Sequence, residues 1–108
     1  MSLTVKEIFE QRMPERLQKK AEKIASINAI YQFNITGNEP SEWTVDLTQP
    51  GGKISAGTSE NAKCSVTISG ENFVNLIEGK LNPKMAFMTG KLKVKGDMGL
   101  ALKLGTIL

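Results

Sequence analysis

Residues 79–104 read GKLNPKMAFMTGKLKVKGDMGLALKL: a stop, a short helix, a second stop, a strand, a cap and a last helix. Gly79 closes the element before it. Asn82-Pro83 is an N-cap followed by a first-turn proline, whose missing N–H costs nothing at that position. Met85, Ala86, Phe87 and Met88 then supply an apolar turn, and Gly90 supplies a left-handed stop. Lys91 to Lys95 alternates Lys-Leu-Lys-Val-Lys, the period-2 pattern of a strand wet on one side and dry on the other. Asp97 caps a final helix with Met98, Ala101, Leu102 and Leu104 as its apolar surface. Two adaptable apolar helices flanking one half-buried strand suit a greasy pocket better than a catalytic cleft.

Working outward, the preceding chain supplies the rest of a sheet and its cover. Thr4 with Glu7 forms a capping box, and Ile8, Phe9 and Met13 form the buried stripe of a first helix. Pro14 is expected to restart the chain into a second helix, with Leu17, Ala21 and Ile24 inward and Arg16, Lys19, Lys20 and Lys23 outward. From Ala25 the period changes to two: Ile27, Ala29, Tyr31, Phe33 and Ile35 share one face of a long strand. Trp43, Val45 and Leu47 mark a second strand, and Ile54 and Ala56 a third after the Gln49-Pro50-Gly51-Gly52 turn, giving an antiparallel meander. Cys64, Val66 and Ile68 face inward from a fourth. A helix opening at Ser69 or Gly70 carries Phe73, Val74, Leu76 and Ile77. About twenty residues separate the fourth and fifth strands, enough for a helical crossover, so these two are expected to run parallel. The expected fold is α+β in two layers: a five-stranded, mainly antiparallel sheet, every helix on one face, the other face polar and open.

Composition bounds the function. The 108 residues carry one cysteine, no histidine and a net charge of +3, and form one expected domain. Without histidine the usual general base at neutral pH and the usual zinc ligand are missing. The two glycine clusters, Gly51-Gly52 and Gly96-Asp97-Met98-Gly99, match neither a phosphate loop nor a dinucleotide fingerprint. No cofactor and no metal are expected. No apolar run approaches the length of a membrane span and the start lacks a secretory h-region, so the chain reads as intracellular and cytoplasmic. The mild positive charge falls short of a nucleic-acid-binding composition. Cys64 sits on a dry strand face with no base or helix N-terminus in view, which makes it a buried inert thiol. Lys91, Lys93 and Lys95 read as protection of an edge strand, or as a docking patch for anionic headgroups.

LNPKMAFMTGKLKVKGDMGLALKL (81–104) strongly resembles the signature region of the sterol carrier protein-2 family, as do NAIYQFNIT (28–36), EWTVDL (42–47) and ENFVNLIEGK (71–80). The resemblance covers nearly the whole chain, and the order of segments is more specific than any single motif. It implies a hydrophobic tunnel between sheet and helices that binds fatty acids, fatty acyl-CoA, phospholipids and sterols, and transfers them between membranes with low selectivity. It also implies a domain without chemistry of its own, monomeric or fused to enzymes of lipid metabolism, in transient contact with membranes. Set against that tunnel, Tyr31, Phe33, Trp43, Val45, Val66 and Val94 are expected as its floor. Phe9, Phe73, Ile77, Met85, Met88, Met98, Ala101 and Leu104 are expected as its roof; methionines adapt their shape cheaply to varied guests. The last residues, Thr106-Ile107-Leu108, depart from the Ser-Lys-Leu-like ending of peroxisomal members, so the peroxisomal address lacks its strict signal. Some relatives carry glutamine near Leu102 and Gly105; its replacement here suggests a drier tunnel end. Two other classes stand beside the lipid reading. One is an interaction module using the open polar face. The other is an acyl-thioester hydrolase built on Cys64, or on a serine paired with Asp46 or Glu71.

Overall fold

The computed structural model describes residues 4–37, 40–49 and 51–103. Its order of elements is α1 (Val5–Glu7), a π-helical segment (Ile8–Arg12), α2 (Met13–Lys19), α3 (Ala21–Ile27), β1 (Ile30–Thr36), β2 (Ser41–Asp46), β3 (Lys53–Ala56), β4 (Cys64–Ser69), α4 (Gly70–Ile77), α5 (Pro83–Met88), β5 (Leu92–Gly96) and α6 (Met98–Leu102). The five strands form one sheet in the order β3-β2-β1-β4-β5, with a single parallel pair, β1 with β4.

Three local expectations are corrected. Pro14 does not start a separate helix. The helical run continues through it, and the turn before it widens so that the Met13 amide donates to the Ile8 carbonyl, five residues back. A proline cannot donate into the ladder and its ring crowds the carbonyl four residues earlier; a widened turn accommodates both. The first strand begins at Ile30, not near Ala25: Ile24 and Ile27 are buried three apart on α3, which ends on Asn28 in the left-handed region (φ 46°). Ile27 and Ala29 are both buried, so alternation ran unbroken across a helix end.

The third correction is topological. β4 and β5 run antiparallel, with Ile68 opposite Leu92 and Cys64 opposite Gly96. The intervening segment holds two helices, α4 and α5, and the reversal at Gly79 (φ +80°) brings the chain back to the sheet end it left. The parallel connection falls between β3 and β4 and contains no helix. Residues 57–63 cross the polar face, where the Gly57 carbonyl accepts from Thr44 Oγ1 (2.9 Å) and the Ser59 amide donates to Gln32 Oε1 (2.8 Å). Gln32 and Thr44 are buried polar side chains for that reason.

The helices cover the opposite face. Tyr31, Phe33 and Ile35 of β1, Trp43 and Val45 of β2, and Cys64, Val66 and Ile68 of β4 are buried there beneath Ile8, Phe9, Met13, Leu17, Phe73 and Ile77. Phe9 is the wedge between layers. Its ring stacks on Trp43 of β2 on one side and Phe73 of α4 on the other, both at 4.9 Å, and meets Phe33 edge-on at 5.6 Å. Offset stacks and T-shaped contacts add to the burial of these large rings.

Candidate functional site

Where Phe9 closes one half of the interlayer space, the other half stays open. A cleft of about 650 Å³ lies between the end of α4, the 79–82 connection, α5, β5 and α6. Each wall follows from a local sequence cue. Ser69 caps α4 by accepting from the Asn72 amide (3.2 Å), which sets Phe73, Leu76 and Ile77 inward. The Lys80 and Leu81 amides both donate to the Asn75 carbonyl (2.8 and 3.1 Å), folding the connection back so that Leu81 turns to the cleft. Asn82 Oδ1 accepts from the Lys84 and Met85 amides, and Pro83 occupies the first turn. Alternation on β5 points Leu92 and Val94 in and Lys93 and Lys95 out. Asp97 Oδ1 accepts from the Gly99 and Leu100 amides and starts α6, whose Met98, Ala101 and Leu102 complete the lining.

Tyr31 ties the inner wall to the sheet. Its buried hydroxyl donates to the Leu100 carbonyl at 2.6 Å, so α6 is anchored from beneath. Burial, and secondarily the negative charges that Cys64 and Asp97 carry or acquire, raise the Tyr31 phenol far above its ordinary range. Burial also pushes the Cys64 thiol up to about 11, with Asp97 adding to the shift. Cys64 is therefore a neutral thiol at physiological pH, and a nucleophilic thiolate is absent from this position. Asp46 accepts from the Thr48 amide (2.8 Å) and from the Thr48 hydroxyl, and serves its own turn. Glu71 sits exposed in the first turn of α4.

The residues expected to line a tunnel fall into groups. Val94, Met98 and Ala101 lie on the cleft wall. Phe9, Tyr31, Phe33, Trp43, Phe73 and Ile77 belong to the close-packed layer beside it and do not line the cleft. Met85 and Met88 are 53% and 69% exposed, on the outer side of α5. Leu104 lies outside the described residues. Lys91, Lys93 and Lys95 are exposed. Sequence reasoning did not single out Leu76, Leu81, Phe87 and Leu92 as lining. The available signal was the inward phase of β5 and the apolar pair that brackets Gly79.

Residues 6–108 match the SCP-2 sterol transfer family. The chain belongs to that family. Among curated relatives, it is 43% identical over 84 residues to hydroxysteroid dehydrogenase-like protein 2 of Rattus norvegicus, covering 77% of this chain and 16% of that protein. It is 44% identical over 92 residues to peroxisomal multifunctional enzyme A of Dictyostelium discoideum, covering 83% and 21%. The SCP-2 chain thus spans about a sixth to a fifth of the length of these relatives. Among solved structures it resembles apo sterol carrier protein 2 of Yarrowia lipolytica, with a TM-score of 0.74, 33% identity and coverage of 99% of this chain and 94% of that one. It also resembles palmitated SCP2L2 of Aedes aegypti, with a TM-score of 0.72, 26% identity and coverage of 95% and 92%. Among the described residues, no helix is long and apolar enough to cross a membrane.

Proposed function

We propose that this chain is a single lipid-binding domain that takes the acyl tail of a fatty acid, or of a related acyl lipid, into the cleft between α4, α5, β5 and α6. The observation that carries the reading is the cleft itself: about 650 Å³, walled by Leu76, Leu81, Phe87, Leu92, Val94 and Met98, with Lys84 as the one charged residue that lines it among the described residues. That volume sits within the ~300–1,000 Å³ usual for small-molecule sites, and a mostly apolar wall with few polar groups is their usual composition. The palmitated Aedes protein, which shares the fold over nearly the whole chain, supports the same ligand class here.

The energetics fit reversible carriage. Burying a chain of ~16 carbons releases about 12 kcal/mol at ~0.8 kcal/mol per methylene. Lost translational freedom and ordering take back ~4–15 kcal/mol. The remainder favours moderate affinity, tolerance of chain length and exchange between carriers and membranes. Lys84 is placed to pair with a carboxylate or another anionic head, while the tail lies along Leu92, Val94 and Met98. The domain itself is proposed to contribute no bond-making step: the raised Cys64 pKa removes the thiolate that a thioesterase would need. Likeness to segments of dehydrogenase-like and peroxisomal multifunctional proteins supports a role beside lipid-metabolising enzymes, in the peroxisome as well as the cytoplasm.

Titration with a fluorescent fatty acid tests the site. Val94→Trp and Ala101→Trp fill the cleft from opposite walls and are expected to lower affinity at least about tenfold while circular dichroism stays native. Full affinity in both variants overturns the assignment. Lys84→Glu is expected to weaken the fatty acid about two- to fivefold, as for an exposed ion pair, and to leave its methyl ester unaffected.

A further inference from the structure

Four methionines lie among the described residues, and they divide sharply by exposure. Met13 is fully buried in the core, whereas Met85, Met88 and Met98 are 53%, 69% and 49% exposed. Of these four, Met98 alone lines the cleft, on the wall it shares with Val94, Ala101 and Leu102. It occupies the first position of α6, where Asp97 caps the helix and the Tyr31 hydroxyl holds the Leu100 carbonyl at 2.6 Å from beneath. The backbone that carries Met98 is therefore fixed, and its side chain meets both solvent and the cleft.

The chemistry open to these sulfurs follows from access. Cys64 is 1% exposed, and peroxides attack the thiolate, the form that burial disfavours there. A thioether needs no deprotonation, so its oxidation is governed by exposure. A sulfur lone pair attacks one oxygen of hydrogen peroxide and the O–O bond breaks. The departing hydroxide takes the proton of the transferred hydroxyl and leaves as water. Methionine sulfoxide and water result; sulfur is oxidised and the peroxide reduced.

The sulfoxide matters only when the cleft is filled. It turns a flexible apolar side chain into a polar one with a strong acceptor oxygen. At a half-exposed position that oxygen stays hydrated while the cleft is empty, and the fold tolerates it. An acyl chain laid along Val94 and Met98 strips the water away. The neighbours on that wall, Val94, Ala101 and Leu102, offer no side-chain donor in return, so the desolvation is uncompensated.

We propose that Met98 is a hydrogen-peroxide oxidation site whose sulfoxide expels the acyl chain from the cleft. This rests on the acyl-binding reading above and adds a reversible chemical control to it, because sulfoxide reductases restore the thioether. Met85 and Met88, equally accessible but outside the cleft lining, are the internal controls.

Limited hydrogen peroxide on the intact chain tests the proposal, followed by peptide mass mapping, circular dichroism and titration with a fluorescent fatty acid. Oxygen is expected on Met85, Met88 and Met98 but not on Met13, with native circular dichroism. Affinity is expected to fall at least about fivefold, and to recover after treatment with methionine sulfoxide reductases of both epimer specificities. Met85→Leu/Met88→Leu is expected to lose affinity on peroxide as the intact chain does. Met98→Leu, whatever its starting affinity, is expected to show the same value before and after peroxide. The proposal is overturned if Met98 stays unmodified while Met85 and Met88 are oxidised, if affinity survives complete oxidation of Met98, or if Met98→Leu gives no protection. An untreated chain that takes up no fatty acid strikes the acyl-binding reading and this inference together. Equal binding by the untreated and oxidised chains strikes this inference alone.

Discussion

Cys64 and Tyr31 face each other across the parallel β1–β4 pair, and both are buried acids whose charged forms are disfavoured. Burial raises Cys64 from 9.0 to about 11. The sign follows from linkage. Below pH 9.0 both folded and unfolded chains hold the thiol proton, so the stability is fully present. Between pH 9.0 and about 11 the unfolded chain loses the proton first and is favoured. Urea midpoints are therefore expected to hold steady from pH 7 to 8.5 and to fall from pH 9 toward 11, with Tyr31 steepening the decline at its alkaline end. Cys64→Ala is expected to reduce the part of that fall that begins near pH 9. Native protein is also expected to react slowly with a thiol reagent at pH 8 and rapidly once unfolded. The Tyr31 hydroxyl has a separate role: Tyr31→Phe removes its bond to Leu100, costing about 1 kcal/mol, or roughly 4–8 °C in Tm for a domain of this size.

Elements depend on single positions that differ in what surrounds them. At Gly96 (φ +102°) an added Cβ would stand 2.5 Å from the Lys63 carbonyl oxygen, pinched between β5 and the start of β4. At Gly90 (φ +79°) the same atom would meet open space. Gly96→Ala is expected to cost at least about 2 kcal/mol because strain and a backbone clash add, and Gly90→Ala only about 1 kcal/mol from the left-handed backbone alone. Chemical denaturation of the two variants measures the difference. The helix-free crossover depends on Gln32, which accepts from the Ser59 amide at 2.8 Å and from Thr44 Oγ1 at 3.3 Å. Gln32→Leu leaves the Ser59 amide unpaired, costing about 1–3 kcal/mol. Amide exchange is expected to quicken at Ser59 and much less in β4.

Capping residues made the elements easy to read: Asn82, Asp97 and Ser69 each accept the amide bonds their positions implied. Alternation likewise showed which face of each strand is dry. Two features were illegible for physical reasons. Alternation continues through Ile27 and Ala29 because helix end and strand start both bury their apolar residues, so the boundary at Asn28 leaves no break in pattern. The strand directions of β4 and β5 depend on whether one helix or two lie between them, and spacing alone does not distinguish these. The Gln32–Ser59 crossover was hidden because a buried glutamine in a strand looks like a solvated one.

At the scale of the whole molecule, the two layers are unequal in their packing. The aromatic group Phe9, Phe33, Trp43 and Phe73 fills one half, and the cleft between α4, α5, β5 and α6 occupies the other. Sequence made the apolar character of both halves plain. It could not divide them, because which apolar side chains meet each other and which line a void depends on the wedge position of Phe9. On the proposed acyl-binding reading, stability belongs to the filled half and ligand capacity to the open half. The most direct test is an NMR titration with stearate carrying a nitroxide near the end of its acyl chain. The account predicts that amide signals of Leu92, Val94, Met98 and Ala101 broaden most while those of Phe33, Trp43 and Phe73 persist. Broadening centred on the aromatic group, or none at saturating ligand, would contradict it.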